Sequence, residues 1–290
     1  MFNGALSALI TPFRDGVVDE KAFRELIEWQ IESGIDGIVP CGSTGESATL
    51  SHAEHEQVIR LAIQQARKRV PVLAGTGSNS TAEAIRLTTF AREAGADGAL
   101  LISPYYNKPT QEGILKHYKM IASSVDLPLF VYNIPGRTGS NITPETFARL
   151  SEIKNIVGVK EASGAMDQIS DIHRLCGNKF TVLSGDDSLT LPIMALGGKG
   201  VIATITNLMP RETHDLAAAA LAGDFARARE IHYKMLPLMR ALFVETNPIP
   251  VKYAVSLIRK CSPEVRMPMT AITPPSAEKL RAAMKDLRLI

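Results

Sequence analysis

Eight short apolar segments rich in β-branched residues recur along the chain and alternate with segments of helical periodicity. The apolar segments read LSALITPF, DGIVPCG, VPVLAGTG, GALLISPYY, LPLFVYNIP, NIVGVKEAS, FTVLSGDD and GVIATITN. Strands buried on both faces of a parallel sheet read as nearly continuous apolar runs, and parallel strands need a crossover helix between them. The alternation therefore predicts an α/β fold, a (β/α)8 TIM barrel over residues 1–224, followed by a C-terminal helical extension over residues 225–290.

Helical periodicity and capping residues predict where the helices between these strands lie. The segment from Asp19 to Glu32 places its apolar residues on one face, as an amphipathic helix does. N-capping side chains precede three later helical segments, at Ser51, at Ser80 or Thr81, and at Thr143.

Composition and charge exclude several classes of function. The chain has 290 residues, 45% of them hydrophobic, and a net charge of +2 with no long basic run, so we expect neither nucleic acid nor a membrane as partner. The three cysteines are odd in number and far apart, which indicates a reducing compartment rather than a disulfide framework. With no signal-peptide pattern at its N-terminus, the protein is predicted to be cytoplasmic.

The active site of a TIM barrel lies at the C-terminal ends of its strands, which draws attention to Lys160. This lysine lies in an apolar strand, and alternation places Gly158 on the same face, which predicts free space beside the lysine. Two interpretations are open. The amine either reaches solvent from the strand end, or it is buried and nucleophilic because burial lowers its pKa.

Polar residues at neighbouring strand ends fit the second interpretation. Tyr132 ends the preceding strand and could pass protons, although it could also be a core aromatic residue. The GSTGE loop offers backbone amides and the hydroxyls of Ser43 and Thr44 to a carboxylate, or it is a plain turn. Arg137 either pairs with a substrate carboxylate or is a solvated loop residue.

No sequence motif requires a cofactor or a metal ion. The segment GTGSNS lacks the lysine of a phosphate-binding loop, and HAEH lacks the glutamate of a zinc-protease helix. GGKG precedes the eighth strand and so falls at the opposite face of the barrel. We therefore predict no cofactor and no metal.

Taken together, six motifs resemble the dihydrodipicolinate synthase family of Schiff-base pyruvate aldolases, which is related to N-acetylneuraminate lyase. They are GSTGESATL, SPYYNKPTQEG, YNIPGRTG, GVKEASG, LSGDD and GVIATITN. The resemblance covers essentially the whole chain. It implies a lyase in which pyruvate forms an imine with Lys160, and the derived enamine attacks aspartate β-semialdehyde, in the pathway to diaminopimelate and lysine.

The resemblance also implies roles for individual residues. Tyr132, Ser43 and Tyr106 would form a proton relay, with Tyr106 contributed by a neighbouring subunit; the family commonly has threonine where this chain has Ser43. The implied substrate-binding residues are Thr44 for the pyruvate carboxylate, Arg137 for the semialdehyde carboxylate, and Gly185 and Ile202 along the pocket.

A second implied site would bind free lysine as a feedback inhibitor at a tight-dimer interface of a homo-oligomer, expected to be a dimer of dimers. The corresponding positions are Ser47, Ala48, His52, His55, Asn79, Glu83 and Tyr105. An ammonium would pair with Glu83.

Three alternatives to the synthase reaction remain. One is another pyruvate lyase on the same scaffold, cleaving a sialic acid or a 2-keto-3-deoxy sugar acid, against which Arg137 counts. Another is a lysine-sensing barrel without turnover. A phosphate-binding barrel would need a glycine-rich loop after the seventh strand, where LSGDD presents acids instead.

Overall fold

Parallel strands form a closed barrel in the computed structural model, which describes residues 2–259 and 261–290. In this part of the chain the barrel strands are β1 Gly4–Ala8, β2 Gly37–Val39, β3 Leu73–Gly75, β4 Gly98–Ile102, β5 Leu129–Asn133, β6 Ile156–Glu161, β7 Thr181–Ser184 and β8 Gly200–Ala203. The sheet order is β2, β1, β8, β7, β6, β5, β4, β3. A parallel bridge between Ile38 and Val72 joins the two ends. The predicted TIM barrel is confirmed.

Helices connect the strands and continue beyond the barrel. Their bounds are α1 Glu20–Glu32, α2 His52–Ala66, α3 Thr81–Ala94, α4 Gln111–Ser124, α5 Pro135–Thr138, α6 Pro144–Ser151, α7 Met166–Cys176, α8 Thr190–Ala195, α9 Pro210–Leu221, α10 Phe225–Ala241, α11 Ile249–Ile258 and α12 Pro274–Asp286. Within the described residues, each helix is too short or too polar to cross a bilayer.

The predicted helix starts agree with the structure. Ser51 and Glu54 form a reciprocal capping box at the start of α2. Ser80, rather than Thr81, caps α3, and Thr143 caps α6. These caps fix the length of the strand-to-helix loops, and therefore where the loop side chains meet at the barrel mouth.

Apolar side chains fill the interior of the barrel below the mouth. The interior cluster contains Phe2, Leu6, Leu73, Leu100, Phe130, Leu183 and Ile202 among others. The Phe130 ring lies against Gly158, where an added Cβ would be 2.6 Å from a ring carbon. The prediction of free space beside Gly158 was therefore wrong, because an aromatic ring from the adjacent strand occupies it.

The C-terminal helices pack on the barrel and share its largest apolar cluster. Residues of α10, α11 and α12, such as Leu238, Val251 and Leu280, belong to the same cluster as Phe23 and Ile27 of α1. Proline lies in the first turn of α11 and of α12, where its missing N–H costs no helical hydrogen bond. The proline-rich segments therefore begin these two helices.

Candidate active site

Lys160 and Tyr132 lie side by side at the C-terminal ends of β6 and β5. The two residues are register partners in the sheet, and Lys160 Nζ lies 4.2 Å from the centroid of the Tyr132 ring. Their exposed fractions are only 7% and 5%. Strand alternation directs both side chains into the barrel. Of the two interpretations of Lys160, the structure supports the buried amine.

Gly185 follows β7 directly and Ile202 lies on β8, the next two strands around the barrel. A Cβ on Gly185 would lie 3.1 Å from Cγ of Lys160 and 2.7 Å from Cβ of Ala162. Glycine is therefore needed for the chain after β7 to pass over the lysine. Ile202 on β8 is buried in the interior cluster.

The loop after β2 presents Ser43 and Thr44 to the barrel mouth. The amides of Gly45, Glu46 and Ser47 donate to carbonyl groups inside the loop. Those of Ser43 and Thr44 donate to no group in the described residues, so they are available to bind an anion.

Thr44 and Arg137 are joined through Asn247 of the C-terminal region. Asn247 Nδ2 donates to Thr44 Oγ1 at 2.9 Å, and Arg137 Nη2 donates to the Asn247 carbonyl oxygen at 3.0 Å. Arg137 itself lies on the short helix α5 that follows β5. One residue thus connects two side chains that the sequence predicted to hold two different carboxylates.

Burial sets the electrostatics of the site. It lowers the pKa of Lys160 to about 8, an effect that the carboxylate of Asp187 opposes and the charge of Arg137 reinforces. Burial also raises the pKa of Tyr132 to about 12, while Arg137 and Ser43 act in the opposite direction. At neutral pH the phenol therefore keeps its proton, and roughly a tenth of the amine is neutral.

Asp187 is the acidic group that acts on Lys160. It is 2% exposed, and its two carboxylate oxygens accept hydrogen bonds from the backbone amides of Thr204 and Ile205 at 2.9 and 2.7 Å. Burial raises its pKa to about 6, against the effect of those two donors. Above that pH it supplies a negative charge near the lysine.

A cavity of ≈ 540 Å³ joins the barrel mouth to the predicted effector positions. Its walls include Ser43, Tyr132 and Arg137, which are among the predicted catalytic and substrate-binding residues. They also include six of the seven predicted lysine-binding residues, which we call the effector set: Ser47, Ala48, His52, His55, Glu83 and Tyr105. Asn79 lies beside it and donates to the carbonyl oxygen of Tyr105 at 3.1 Å. The two predicted sites are therefore neighbours in space.

One ring nitrogen of each effector-set histidine is hydrogen-bonded to a protein group. His52 Nε2 lies 2.6 Å from Glu83 Oε1, and Glu83 also accepts a hydrogen bond from Ser78. His55 Nε2 lies 2.7 Å from the Gly75 carbonyl oxygen, and burial lowers the pKa of this imidazole.

Tyr106 is the one predicted relay residue that the structure keeps apart from Lys160. Its side chain is 88% exposed, and its backbone has a φ of +71°. A non-glycine residue rarely adopts that conformation. The contribution of Tyr106 to the site of a neighbouring subunit stays a prediction.

Three residues of the site escaped the sequence analysis. Asp187 lies in LSGDD, but nothing in the motif separates it from Asp186. Asn247 and Lys252 lie in a proline-rich segment whose sequence suggests only an interruption between helices. Their partners Thr44 and Glu46 lie more than 200 residues away, at sequence separations of 203 and 206, so no local pattern could reveal them.

Comparisons with known proteins agree on one family. The model of the dihydrodipicolinate synthetase family matches residues 1–287. The 4-hydroxy-tetrahydrodipicolinate synthase of Syntrophus aciditrophicus is 59% identical over 290 residues, which is 100% of both chains.

Solved structures agree with these sequence comparisons. The dihydrodipicolinate synthase of Acinetobacter baumannii, solved in complex with pyruvate, superimposes with a TM-score of 0.98 at 45% identity over 100% of both chains. The DHDPS of Cyanidioschyzon merolae, solved with lysine bound, gives 0.96 at 41% identity over 100% of this chain and 99% of that one. This chain belongs to the dihydrodipicolinate synthetase family.

Proposed function

We propose that this protein is a lyase that condenses pyruvate with aspartate β-semialdehyde, the reaction of a 4-hydroxy-tetrahydrodipicolinate synthase in the cytoplasmic route to diaminopimelate and lysine. The observation that carries the proposal is the buried amine of Lys160 beside the Tyr132 ring. A neutral, desolvated amine is the nucleophile that imine formation with a ketone needs. The relatives of this chain and the A. baumannii complex with pyruvate support the choice of substrates.

In the first half of the reaction, the Lys160 nitrogen attacks C2 of pyruvate and a carbinolamine forms. The carbonyl oxygen gains a proton and leaves as water, which yields the protonated imine. Tyr132 is protonated at neutral pH because burial raises its pKa to about 12, so it is suited to donate this proton. Ser43 would pass protons between Tyr132 and Tyr106 of a neighbouring subunit, while Thr44 holds the pyruvate carboxylate.

In the second half, the imine loses a proton from C3 and becomes an enamine. C3 then bonds to the aldehyde carbon of the semialdehyde, and the aldehyde oxygen takes up a proton. Attack of the substrate amino group on C2 closes the ring and releases Lys160 as a free amine. Arg137 would hold the semialdehyde carboxylate at the cavity wall. Gly185 beside Lys160, and Ile202 in the interior cluster, would shape the surroundings of the lysine.

Arg137 favours this reaction over cleavage of a sialic acid or a sugar acid. A guanidinium forms paired hydrogen bonds with a carboxylate, whereas a sugar chain would present hydroxyl groups at that position. A barrel that only sensed lysine would not need a desolvated amine at its centre, since burial of an amine is costly.

The central test is chemical trapping of the imine. Borohydride reduction in the presence of pyruvate should add a pyruvate-derived mass to Lys160, detectable by mass spectrometry of the peptide. Lys160→Ala should give no adduct and should lower kcat with both substrates at least about 1000-fold. An adduct without semialdehyde turnover would favour a sugar-acid lyase, and absence of an adduct on the wild-type protein would refute the proposal.

The rate of imine formation should depend on pH through Lys160. Below a pKa of about 8, the neutral fraction of the amine, and hence the trapping rate, should rise roughly tenfold per pH unit and then level off. Because Asp187 raises the pKa of Lys160, Asp187→Asn should move the midpoint to lower pH. Cyanoborohydride trapping between pH 6 and 9 measures both profiles. Asp186→Asn is the matched control, since the Asp186 carboxylate instead accepts a hydrogen bond from the Ser188 amide. An unshifted midpoint in Asp187→Asn would contradict the expected charge effect.

Removal of the Arg137 guanidinium should separate the two substrates. Arg137→Ala should raise the KM for aspartate β-semialdehyde about 10- to 100-fold, the worth of a charged hydrogen-bonded pair. Trapping with pyruvate alone should persist. Arg137→Lys, which keeps the charge without the paired geometry, should have a semialdehyde KM between those of the wild type and Arg137→Ala. Equal semialdehyde KM values in all three proteins would exclude this role for Arg137.

We also propose that the effector-set residues bind free lysine, and that the protein is a homo-oligomer, a dimer of dimers, in which Tyr106 of one subunit approaches the site of another. The common cavity supports communication between the two ligands, because Tyr105 lines it and adjoins Tyr106. The DHDPS of Cyanidioschyzon merolae, solved with lysine bound, supports the choice of effector.

Isothermal titration with lysine tests the effector site. The wild-type protein should bind lysine at millimolar concentration or below, and Glu83→Gln should weaken binding at least about tenfold, because the ammonium loses its carboxylate partner. Glu56→Gln is the matched control. Glu56 pairs with Arg86 and is not an effector-set residue. Absence of heat from the wild-type protein at millimolar lysine would reject the site.

A further inference from the structure

We propose that a buried ion pair between Glu46 and Lys252 positions the Ser43–Thr44 loop, so that helix α11 of the C-terminal region completes the pyruvate site. This inference rests on the proposed function for its kinetic consequence. Its structural part, that the ion pair holds the loop, concerns the chain alone.

The two charges of the pair are withdrawn from water. Lys252 Nζ lies 2.6 Å from Glu46 Oε1, and the side chains are 0% and 3% exposed. The ammonium also lies 4.1 Å from the centroid of the Phe13 ring. A buried ion pair is often no more stabilising than well-packed apolar residues, so stability is weak grounds for its presence.

The Glu46 backbone has a conformation that needs to be held. Its φ is +54°, in the left-handed region that non-glycine residues seldom occupy. Its second carboxylate oxygen, Oε2, accepts a hydrogen bond from the Arg266 amide at 2.9 Å. Both oxygens are thus bound to the C-terminal region, which fixes the side chain and, with it, an unfavourable backbone. Such local strain persists where the surroundings determine it, and it is frequent at functional sites.

Arg266 extends the restraint to the far side of the loop. Its guanidinium donates to the Thr49 carbonyl oxygen at 2.9 Å, to the Gly16 carbonyl oxygen at 2.7 Å, and to the carboxylate of Glu54 on α2. The guanidinium carbon lies 4.2 Å from the centroid of the same Phe13 ring that Lys252 contacts. The segment after Glu46 is therefore also held from the C-terminal region.

Glu46 is connected directly to Ser43, the proposed relay residue that precedes the pyruvate-binding Thr44. Its amide donates to the Ser43 carbonyl oxygen at 3.2 Å, so a shift of Glu46 displaces Ser43. Asn247, which precedes α11, holds the Thr44 hydroxyl at 2.9 Å. The loop is therefore fixed from the C-terminal region at two points, one on each side of Gly45.

Lys252→Met tests the positioning role, because methionine retains much of the side-chain volume but removes the charge. We expect a rise of about tenfold in the KM for pyruvate, a smaller change in kcat, and faster hydrogen exchange at the amides of residues 45–47. Glu46→Gln, which keeps the size of the side chain and one acceptor oxygen, should change the same quantities about threefold. It decides the question if Lys252→Met does not fold.

The matched control is Arg69→Met. Arg69, in the loop after α2, forms a two-point ion pair with Glu28 of α1, away from the Ser43–Thr44 loop. This variant should lower the thermal midpoint without changing the KM for pyruvate or the loop exchange. If the ion pair were purely structural, Lys252→Met and Glu46→Gln would behave as Arg69→Met does, with the KM for pyruvate within twofold of wild type and loop exchange unchanged. That result would overturn the inference.

The two proposals fail differently. If the wild-type protein forms no adduct with pyruvate, the proposed function is wrong, but the exchange measurement on residues 45–47 still decides whether the ion pair holds the loop. If the wild type forms the adduct and both variants bind pyruvate as well as it does, the function stands and the positioning role is refuted.

Discussion

The burial of one amine, Lys160, determines how the rest of the site is built. Lowering its pKa from 10.5 to about 8 costs about 3 kcal/mol in interactions of the charged form. The face of the Tyr132 ring and the carboxylate of Asp187 partly offset this cost to the charged amine. Asp187 is itself held by hydrogen bonds from two backbone amides. Gly185 fits because a Cβ there would lie 2.7 Å from Cβ of Ala162 and press on the lysine stem at 3.1 Å. The same packing thus makes the Lys160 amine nucleophilic and favours glycine at position 185.

The C-terminal helices are part of the same construction. They share the largest apolar cluster of the barrel, and Asn247 connects the side chains of Thr44 and Arg137 across the mouth. A loop rich in glycine and serine has many accessible conformations, and ordering it has an entropic cost. Contacts from a distant, well-packed helix supply that order without placing additional bulk in the cavity.

The sequence predicted the barrel well because periodicity reports burial, and burial largely decides the secondary structure. Lys160 and Tyr132 could be chosen because each is a polar residue near the C-terminal end of a predicted apolar strand, where a TIM barrel has its active site. Alternation identifies a face but not the neighbour that fills it, so the space at Gly158 was misjudged where Phe130 packs. Asn247, Lys252 and the distinction between Asp186 and Asp187 depend on contacts between distant segments, which local patterns do not encode.

Several effector-set residues are hydrogen-bonded to one another, His52 to Glu83 and Asn79 to Tyr105. The carboxylate of Glu83 accepts a hydrogen bond from Ser78 and lies 2.6 Å from His52 Nε2. Both contacts lower the pKa of Glu83, and the one with Ser78 has the larger effect. The ammonium of the proposed effector would share the Glu83 carboxylate with these partners, which lowers the net gain from this charge pair. Net affinity would then depend on what else the cavity offers to the rest of the ligand, including Tyr105 in its wall. Selectivity for lysine over other cations would accordingly come from the fit of the whole molecule and not from the single charge pair.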